Sequence, residues 1–346
     1  MFEQERRPPA RREDTALGAL ASCRRFSGQR QNAGETPALP VMARSAFAGE
    51  RAATARAALA NCRLCAHDCG VNRLAGEHGL CHAGATPRFF SAQVEVSDEL
   101  ELIPTFAIAL SGCDLRCDFC ITGAESWNAK AGASFDATEM AGRAERALSR
   151  GARTIMVLGG EPTIHLPAAL ELVAALPDSV RLVWKTNAHG SAQARELLDG
   201  MFDVWLADFK FGNDACARRL AKIPDYVRVV RENLLWFAGQ SSTERRAPSR
   251  RDDGCGADRA ETVPGVPRRG ELIVRHLLMP GHVECCWRPV AEWLAENLPG
   301  VKVNLRSGFW PAWHAARHDE LRRTLVQPES DRAVALAREF NLNLIP

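Results

Sequence analysis

Three closely spaced cysteines are the residues of this chain best suited to chemistry. Cys113, Cys117 and Cys120 lie within eight residues, in the stretch SGCDLRCDFC, and no fourth cysteine is close to them in sequence. A closed tetrahedral zinc site needs four ligands, so zinc here would require a distant His or Cys. A [4Fe-4S] cluster held by three thiolates instead leaves one iron open to a small molecule. The spacing predicts metal binding and favours the cluster over zinc.

Short β-rich runs alternate with helical patterns and place these cysteines directly after a strand. Strand–helix repeats of this kind predict parallel pairing with right-handed crossovers. The repeats are too few for a full eight-stranded barrel, so we expect an α/β fold built as a partial (β/α)6 barrel. The six runs are 106–110, 154–158, 181–185, 203–207, 271–275 and 301–305.

Polar residues follow several consecutive runs, at the edge where parallel α/β folds gather their chemistry. The segment GGEP, 159–162, has two glycines that allow a ligand to approach the backbone, and Glu161 can bind an ammonium group. Asn187 follows the third run, Lys210 follows the fourth and Arg275 ends the fifth. A helix cap or a salt bridge explains each one alone, whereas a packed core gives no reason for all of them together.

The segments SGCDLRCDFC, GGEPT, KTN, DFK and RHLLMPGH, in this order, resemble the pyruvate formate-lyase activating enzyme-like branch of the radical S-adenosylmethionine (SAM) superfamily. The resemblance runs from about residue 60 to the C-terminus, without the segment 241–270. It implies that the three cysteines bind a [4Fe-4S] cluster and that the other motif residues bind SAM. Those other residues are Phe119, which precedes the last cysteine, Gly159, Gly160 and Glu161 at the methionine amino group, and Asn187, Lys210 and Arg275 at the rest of SAM.

The same resemblance implies an oxidoreductase that reduces SAM by one electron, forms methionine and a 5′-deoxyadenosyl radical, and removes hydrogen from a substrate. In characterised activases that hydrogen belongs to a glycine of a partner enzyme. A glycyl-radical enzyme or another protein is therefore the implied partner, with flavodoxin or ferredoxin as electron donor. Ile121 and Thr122 follow Cys120, where many activases carry Gln-Asn or His-Asn. Radical modification of a small molecule or peptide, and a non-catalytic zinc or iron-sulfur protein, are the alternatives.

A second cysteine cluster, Cys62, Cys65, Cys69 and Cys81, lies upstream with the spacing C-x2-C-x3-C-x11-C. Four thiolates can complete the coordination shell of a metal, and the intervening glycines permit the tight turns that this requires. The spacing predicts a second metal, zinc or an auxiliary iron-sulfur cluster, in a structural role. Nearby histidines that can replace a thiolate are His67, His78 and His82.

The chain of 346 residues divides by composition into three parts. We expect a disordered tail over 1–55, a Cys-rich metal-binding segment over 56–100, and the partial barrel over 101–346 with a disordered insert at 241–270. Met42 is a possible alternative start. Among the remaining cysteines, Cys285 and Cys286 lie in a helical pattern that favours burial over metal ligation.

Composition excludes several classes of partner. The formal charge of +2 gives no sign of a nucleic-acid surface, and no apolar run has the roughly 18 residues that a membrane helix needs. Twelve cysteines, seven of them in the two clusters, suit metal ligation better than a disulfide scaffold. This usage predicts a protein of the reducing cytoplasm.

Overall fold

The structure is a computed structural model, and it describes residues 43–97, 99–241 and 270–346. Its strands are β1 (Arg88–Glu95), β2 (Thr105–Leu110), β3 (Ala133–Ser134), β4 (Thr154–Gly159), β5 (Leu182–Thr186), β6 (Val204–Asp208), β7 (Glu271–Leu277), β8 (Lys302–Arg306) and β9 (Asn343–Leu344). In the described residues they form one sheet of nine strands, in the order β3-β1-β2-β4-β5-β6-β7-β8-β9.

The six predicted runs are the strands β2, β4, β5, β6, β7 and β8, and they pair in parallel in this order. Val157 of β4, for example, lies opposite Ile108 of β2 and Trp184 of β5. β1 and β3 extend one edge in antiparallel pairing, and β9 extends the other in parallel. The α/β class is confirmed. The sheet is open, since β3 and β9 are its two ends in the described residues, and the partial barrel stays a prediction.

Both faces of the sheet are covered, which explains why the central strands read as continuous apolar runs. Successive residues of a strand point to opposite faces. Trp184 and Trp205 accordingly belong to the large core on one face, whereas Val183 and Val204 belong to a smaller core on the other.

The helices pack around this sheet. Helix α3 shows how the sequence determines where a helix begins. The Asp136 carboxylate accepts a hydrogen bond of 2.8 Å from the Glu139 amide and so caps the start of this helix. Met140 and Ala144 are buried on one face of that helix. The helices are α1 (Arg44–Ala57), α2 (Gly123–Trp127), α3 (Ala137–Ser149), α4 (Leu166–Ala175), α5 (Ala192–Leu198), α6 (Asp214–Ala221), α7 (Tyr226–Ser241), α8 (Arg288–Asn297) and α9 (Gln327–Glu339).

Helix α1 corrects the predicted boundary of the disordered tail. Residues 44–55 were assigned to that tail, but they are helical and pack against α4. Ala48, Ala52 and Ala55 form a buried stripe of small side chains, which allows close helix packing without a large apolar period in the sequence. The Arg44 guanidinium also forms an ion pair of 3.0 Å with Asp203. The rest of the predicted tail with Met42, and the insert over 242–269, lie outside the described residues.

None of the helices in the described ranges combines the length and the apolar character that a bilayer crossing requires.

Candidate functional site

A cavity of about 320 Å³ opens at the carboxyl ends of the parallel strands. Its wall is formed by strands β4 to β8, the turns that follow them and the cysteine loop after β2, because the carboxyl ends of parallel strands meet at one edge of a sheet. The structure therefore brings together all the predicted residues of the cysteine loop and of the strand ends except Glu161. Those in the wall are Cys113, Cys117, Phe119, Cys120, Gly159, Gly160, Asn187, Lys210 and Arg275.

The three cysteines are arranged more widely than a single ion would hold them. Cys113 and Cys117 are buried, and Cys120 is half-buried. Tetrahedral zinc, with Zn–S bonds of about 2.3 Å, places its sulfurs about 3.8 Å apart. Among the described residues, the sulfurs of Cys113, Cys117 and Cys120 do not gather within 4.8 Å of one another. In this arrangement the three sulfurs do not form a ready site for a single ion.

Burial shapes the acidity of this loop. It raises the pKa of the Cys113 thiol well above its usual value, and it raises that of Cys117 to about 12 although Lys210 opposes the shift. Thiols are ligands only when deprotonated, so a metal must supply the positive charge that stabilises them here and must release protons as it binds. The donor set therefore fits a buried cationic cluster.

Asp118, between the second and third cysteines, anchors the loop from behind. Its carboxylate lies 2.7 Å from Lys222 Nζ and 2.7 Å from His318 Nε2, and its amide donates to the Leu220 carbonyl at 2.8 Å. Burial opposes its ionisation, but Lys222 and His318 outweigh burial and lower its pKa. The charged carboxylate thus ties the cysteine loop to the end of α6 and to the C-terminal region.

Glu161 lies beneath the cavity and does not line it. It is 1% exposed, and its carboxylate accepts hydrogen bonds from the Thr163 amide and hydroxyl at 3.1 and 2.5 Å, the Thr186 hydroxyl at 2.8 Å and the Asn187 amide at 2.8 Å. Burial, with a contribution from Asp114, raises its pKa to about 7. Because four donors already occupy its oxygens, its contacts join the loops after β4 and β5. The predicted contact with the methionine amino group stays a prediction.

Gly160 is explained by backbone packing. A Cβ atom at this position would lie 1.9 Å from the Gly112 carbonyl oxygen. The same close approach lets the Gly160 amide donate to Leu110 and the Glu161 amide donate to Gly112, each at 2.9 Å. The loop after β4 can therefore lie against the cysteine loop only if residue 160 has no side chain.

A charged cluster lies on the opposite wall. Lys210 pairs with Asp208, and Arg275 Nε lies 3.2 Å from Glu99 Oε1 and 3.7 Å from Asp208 Oδ1. Burial disfavours both charges of the first pair, but mutual attraction outweighs it, so the pKa of Lys210 is raised and that of Asp208 is lowered. Cationic side chains outnumber acidic ones in the wall, which suits a carboxylate ligand. The cations are Lys185, Lys210, Arg275 and Arg306, and the acid is Asp208.

Asp114, directly after the first cysteine, is a site residue that the sequence reasoning missed. It is 1% exposed and lies 2.7 Å from Asn187 Nδ2 and 2.8 Å from His189 Nδ1. Burial opposes its charge, but these hydrogen bonds outweigh it and lower its pKa. Its only sequence signal is an acid inside a loop that the cysteines predict to be buried.

A known protein family matches the part of the chain that forms much of this cavity. Residues 108–237 match the radical SAM superfamily, and this range contains the three cysteines, Asn187 and Lys210. Over residues 108–237 the chain is therefore similar to a radical SAM domain. Such a domain implies a [4Fe-4S] cluster and SAM, and it marks an enzyme of radical chemistry. Arg275 lies beyond the matched range.

Other similar proteins cover larger parts of the chain. Uncharacterized protein MJ0674 of Methanocaldococcus jannaschii is 29% identical over 299 residues, which are 82% of this chain and 76% of that protein. Streptococcus suis SuiB bound to S-adenosylmethionine has a TM-score of 0.46 at 14% identity, and SuiB bound to precursor peptide SuiA has 0.45 at 14%. Each covers 67% of this chain. The chain spans about half the length of SuiB, 47% of the structure bound to S-adenosylmethionine and 46% of the structure bound to SuiA.

The Cys-rich segment packs against the radical SAM domain at the loop after β5. Cys65 pairs with Gly190 in an isolated antiparallel β-bridge, and the Ala66 amide donates to the His189 carbonyl at 3.0 Å. His67 Nε2 lies 2.8 Å from the Asp114 carbonyl oxygen. No three sulfurs of this segment's cysteines lie within 4.8 Å of one another in the described residues. The second metal at Cys62, Cys65, Cys69 and Cys81 therefore stays a prediction.

The mouth of the cavity at the carboxyl ends of the parallel strands is aromatic and apolar. Phe119 lies between Phe211 and Phe309, with ring centroids 6.0 and 6.3 Å away. Ile121 and Trp310 line the same cavity and are 79% and 68% exposed. A buried aromatic wall thus continues into an exposed apolar rim.

Proposed function

We propose that Cys113, Cys117 and Cys120 hold the [4Fe-4S] cluster and that SAM occupies the cavity beside them. The observation that carries this proposal is the sharing of one cavity by the three cysteines, Lys210 and Arg275. When bound, the cluster supplies the electron that cleaves SAM to methionine and a 5′-deoxyadenosyl radical. A partial (β/α)6 barrel formed by β2 and β4 to β8 would hold this site at one end.

The chain's own residues would orient SAM by charge and by shape. Lys210 and Arg275 are held by Asp208 and Glu99, which fixes their direction before a carboxylate arrives. Asn187 presents an amide whose Nδ2 donates to Asp114 and whose Oδ1 accepts from the His189 amide. The buried aromatic wall around Phe119 excludes water from the same space.

The substrate proposal is activation of a protein partner, as in pyruvate formate-lyase activating enzyme-like proteins. A cavity of about 320 Å³ is at the small end of the range for cofactor sites, so the cluster and SAM would leave little interior room. A substrate would then approach through the mouth, where Ile121 and Trp310 offer exposed apolar contacts. These features support a protein as partner. A glycyl-radical enzyme is the partner that we propose, with flavodoxin or ferredoxin as electron donor.

Anaerobic reconstitution tests the chemistry. The protein with iron, sulfide, a reductant and SAM should form 5′-deoxyadenosine, and Cys113→Ala should abolish that product because the cluster loses one anchor. Product formation by Cys113→Ala at the wild-type rate would refute the cluster assignment.

Lys210→Ala and Arg275→Ala test the SAM contacts. A charge-assisted contact is worth about 1.5–3 kcal/mol, so each variant should bind SAM about 10- to 150-fold more weakly with its iron content unchanged. Arg228→Ala is the matched control, since Arg228 is exposed and pairs with Glu232 on α7. Equal loss of iron and SAM in the two site variants would refute their placement.

The partner is tested separately, with a purified glycyl-radical enzyme, SAM and reductant. Activation predicts a glycyl radical signal in the EPR spectrum, weakened by Trp310→Ser. SAM cleavage without any such signal would reject protein activation and leave radical SAM chemistry intact.

A further inference from the structure

Four potential metal ligands converge outside the radical SAM cavity, although their sequence spacing gave no sign of it. Cys216 lies on α6, and His282, Cys285 and Cys286 lie at a single π-helical turn, Val283–Trp287, before α8. One ligand atom from each of the four lies within 4.8 Å of every other. Cys286 is buried as predicted. Cys285 is exposed, so burial does not explain why a cysteine occupies that position.

The distances match one tetrahedral ion. With Zn–S bonds of about 2.3 Å and a Zn–N bond of about 2.0 Å, tetrahedral geometry places S and N about 3.5 Å apart and two sulfurs about 3.8 Å apart. His282 Nδ1 lies 3.6 Å from Cys216 Sγ, 3.3 Å from Cys285 Sγ and 3.6 Å from Cys286 Sγ. The sulfurs of Cys216 and Cys285 are 3.9 Å apart.

We propose that Cys216, His282, Cys285 and Cys286 form a Cys3His site for one structural zinc ion. The site is independent of the proposed radical chemistry. Zinc binding would convert three thiols to thiolates and release their protons to solvent, with no change of oxidation state. Three of the ligands are less than 10% exposed, and the exposed Cys285 side leaves a path for the ion.

The surroundings of His282 favour Nδ1 as the ligand atom. Its other nitrogen, Nε2, lies 3.4 Å from Glu320 Oε1, and a ligating histidine commonly donates its second N–H to a carboxylate. Arg219 lies 3.2 Å from the same nitrogen and pairs with Glu320 at 2.6 Å. Zinc at Nδ1, the nitrogen that faces the three sulfurs, would leave the ring proton on Nε2, where Glu320 would accept it in place of the hydrogen bond from Arg219. Arg219 also offsets the net negative charge of three thiolates on a divalent ion.

Asn213 joins the two elements that supply the ligands. Its Nδ2 donates to the Cys285 carbonyl at 2.6 Å and lies 3.3 Å from Cys216 Sγ, while its Oδ1 accepts from the Cys216 amide at 2.8 Å. Gly212 permits this contact, because a Cβ there would lie 2.3 Å from the Cys286 carbonyl oxygen. An ion at this point would fix the connection after β6 to the connection after β7.

Zinc analysis of the full-length protein, purified anaerobically, tests the proposal. The wild type should carry one more zinc per chain than Cys285→Ala and than His282→Ala, with the same iron content. Because only the difference is counted, zinc bound elsewhere in the chain does not enter the result. Glu284→Gln is the matched control, since Glu284 is exposed in the same turn and pairs with Arg288 and Arg332, and it should keep the wild-type zinc content.

Thermal unfolding with a zinc chelator gives a second measurement. The chelator should lower the Tm of the wild type and of Glu284→Gln by more than that of Cys285→Ala, because only the first two hold this ion. Glu320→Ala should weaken zinc binding about 10-fold or more, because the second-shell carboxylate is lost. Equal zinc content in wild type, Cys285→Ala and His282→Ala would overturn the proposal. A zinc-free protein with a Cys216–Cys285 disulfide would overturn it too.

Discussion

Gly160→Ala separates two roles for the glycine after β4, one in loop packing and one in ligand binding. The added methyl carbon would lie 1.9 Å from the Gly112 carbonyl oxygen and 3.1 Å from the Cys113 Cβ. Both neighbours belong to the cysteine loop, and the first is backbone that no rotamer change can move. The substitution therefore acts on the loop that presents the cysteines.

The size of the effect follows from that overlap. Side-chain carbons do not approach other heavy atoms closer than 3.0 Å, so the two loops must separate by about 1.1 Å. Overpacking of this kind costs about 1–3 kcal/mol. The separation also stretches the hydrogen bonds from Gly160 to Leu110 and from Glu161 to Gly112, each 2.9 Å long and each worth about 1 kcal/mol. We expect a total loss of about 3–5 kcal/mol.

Thermal unfolding and iron content, measured on the same preparations, give the readout. Gly160→Ala should lower Tm by about 5 °C or more and lower the retained iron as well. Gly142→Ala is the control: the site lies inside α3, its nearest neighbour would be 3.4 Å away, and alanine there should stabilise by up to about 1 kcal/mol. If Gly160→Ala keeps wild-type Tm and iron but binds SAM more weakly, the glycine serves the ligand and the packing argument is wrong.

Two further predictions concern buried groups near the cysteine loop. Burial, with help from Arg73, lowers the pKa of His165 to about 4, so the stability it contributes above pH 6.5 is lost as pH falls towards 4, by about 3 kcal/mol. His165→Gln should reduce the change of the urea unfolding midpoint with pH between about pH 4 and 6.5. The same dependence on pH in the wild type and the variant would contradict this. Asp118→Asn removes the charged partner of Lys222 and His318 and should cost about 1–3 kcal/mol in urea unfolding, with less iron retained. Wild-type values for both would show that the anchor is dispensable.

The central strands were predictable because each is buried on both faces and reads as an unbroken apolar run. β1 (Arg88–Glu95) was missed because it is only partly buried. Its apolar residues form neither a continuous apolar run nor a regular alternation with polar residues. Helix α1 was missed because its buried face consists of alanines, which carry little periodic signal. In both, packing against a neighbour supplies what the local pattern lacks.

The candidate site divides in the same way. The spacing of Cys113, Cys117 and Cys120 is local, so the sequence alone predicted a metal loop. The role of Glu161 depends on donors from β5, which are 25 and 26 residues away, and no local pattern reports them. Cys216 and His282 are 66 residues apart, across the insert, so their convergence is visible only in the fold.

Three buried carboxylates explain how a loop without regular structure can hold a defined cysteine arrangement. Loop backbone carries polar groups that no ladder satisfies, so burying it needs other partners. Asp114 binds the loop after β5, Asp118 binds the end of α6 and the C-terminal region, and Glu161 joins the loops after β4 and β5. Each carboxylate is at most 1% exposed, where an unpaired charge would be costly. These acids therefore tie the cysteine loop to the loops and helix end around it, and the apolar core supports the strands that carry them.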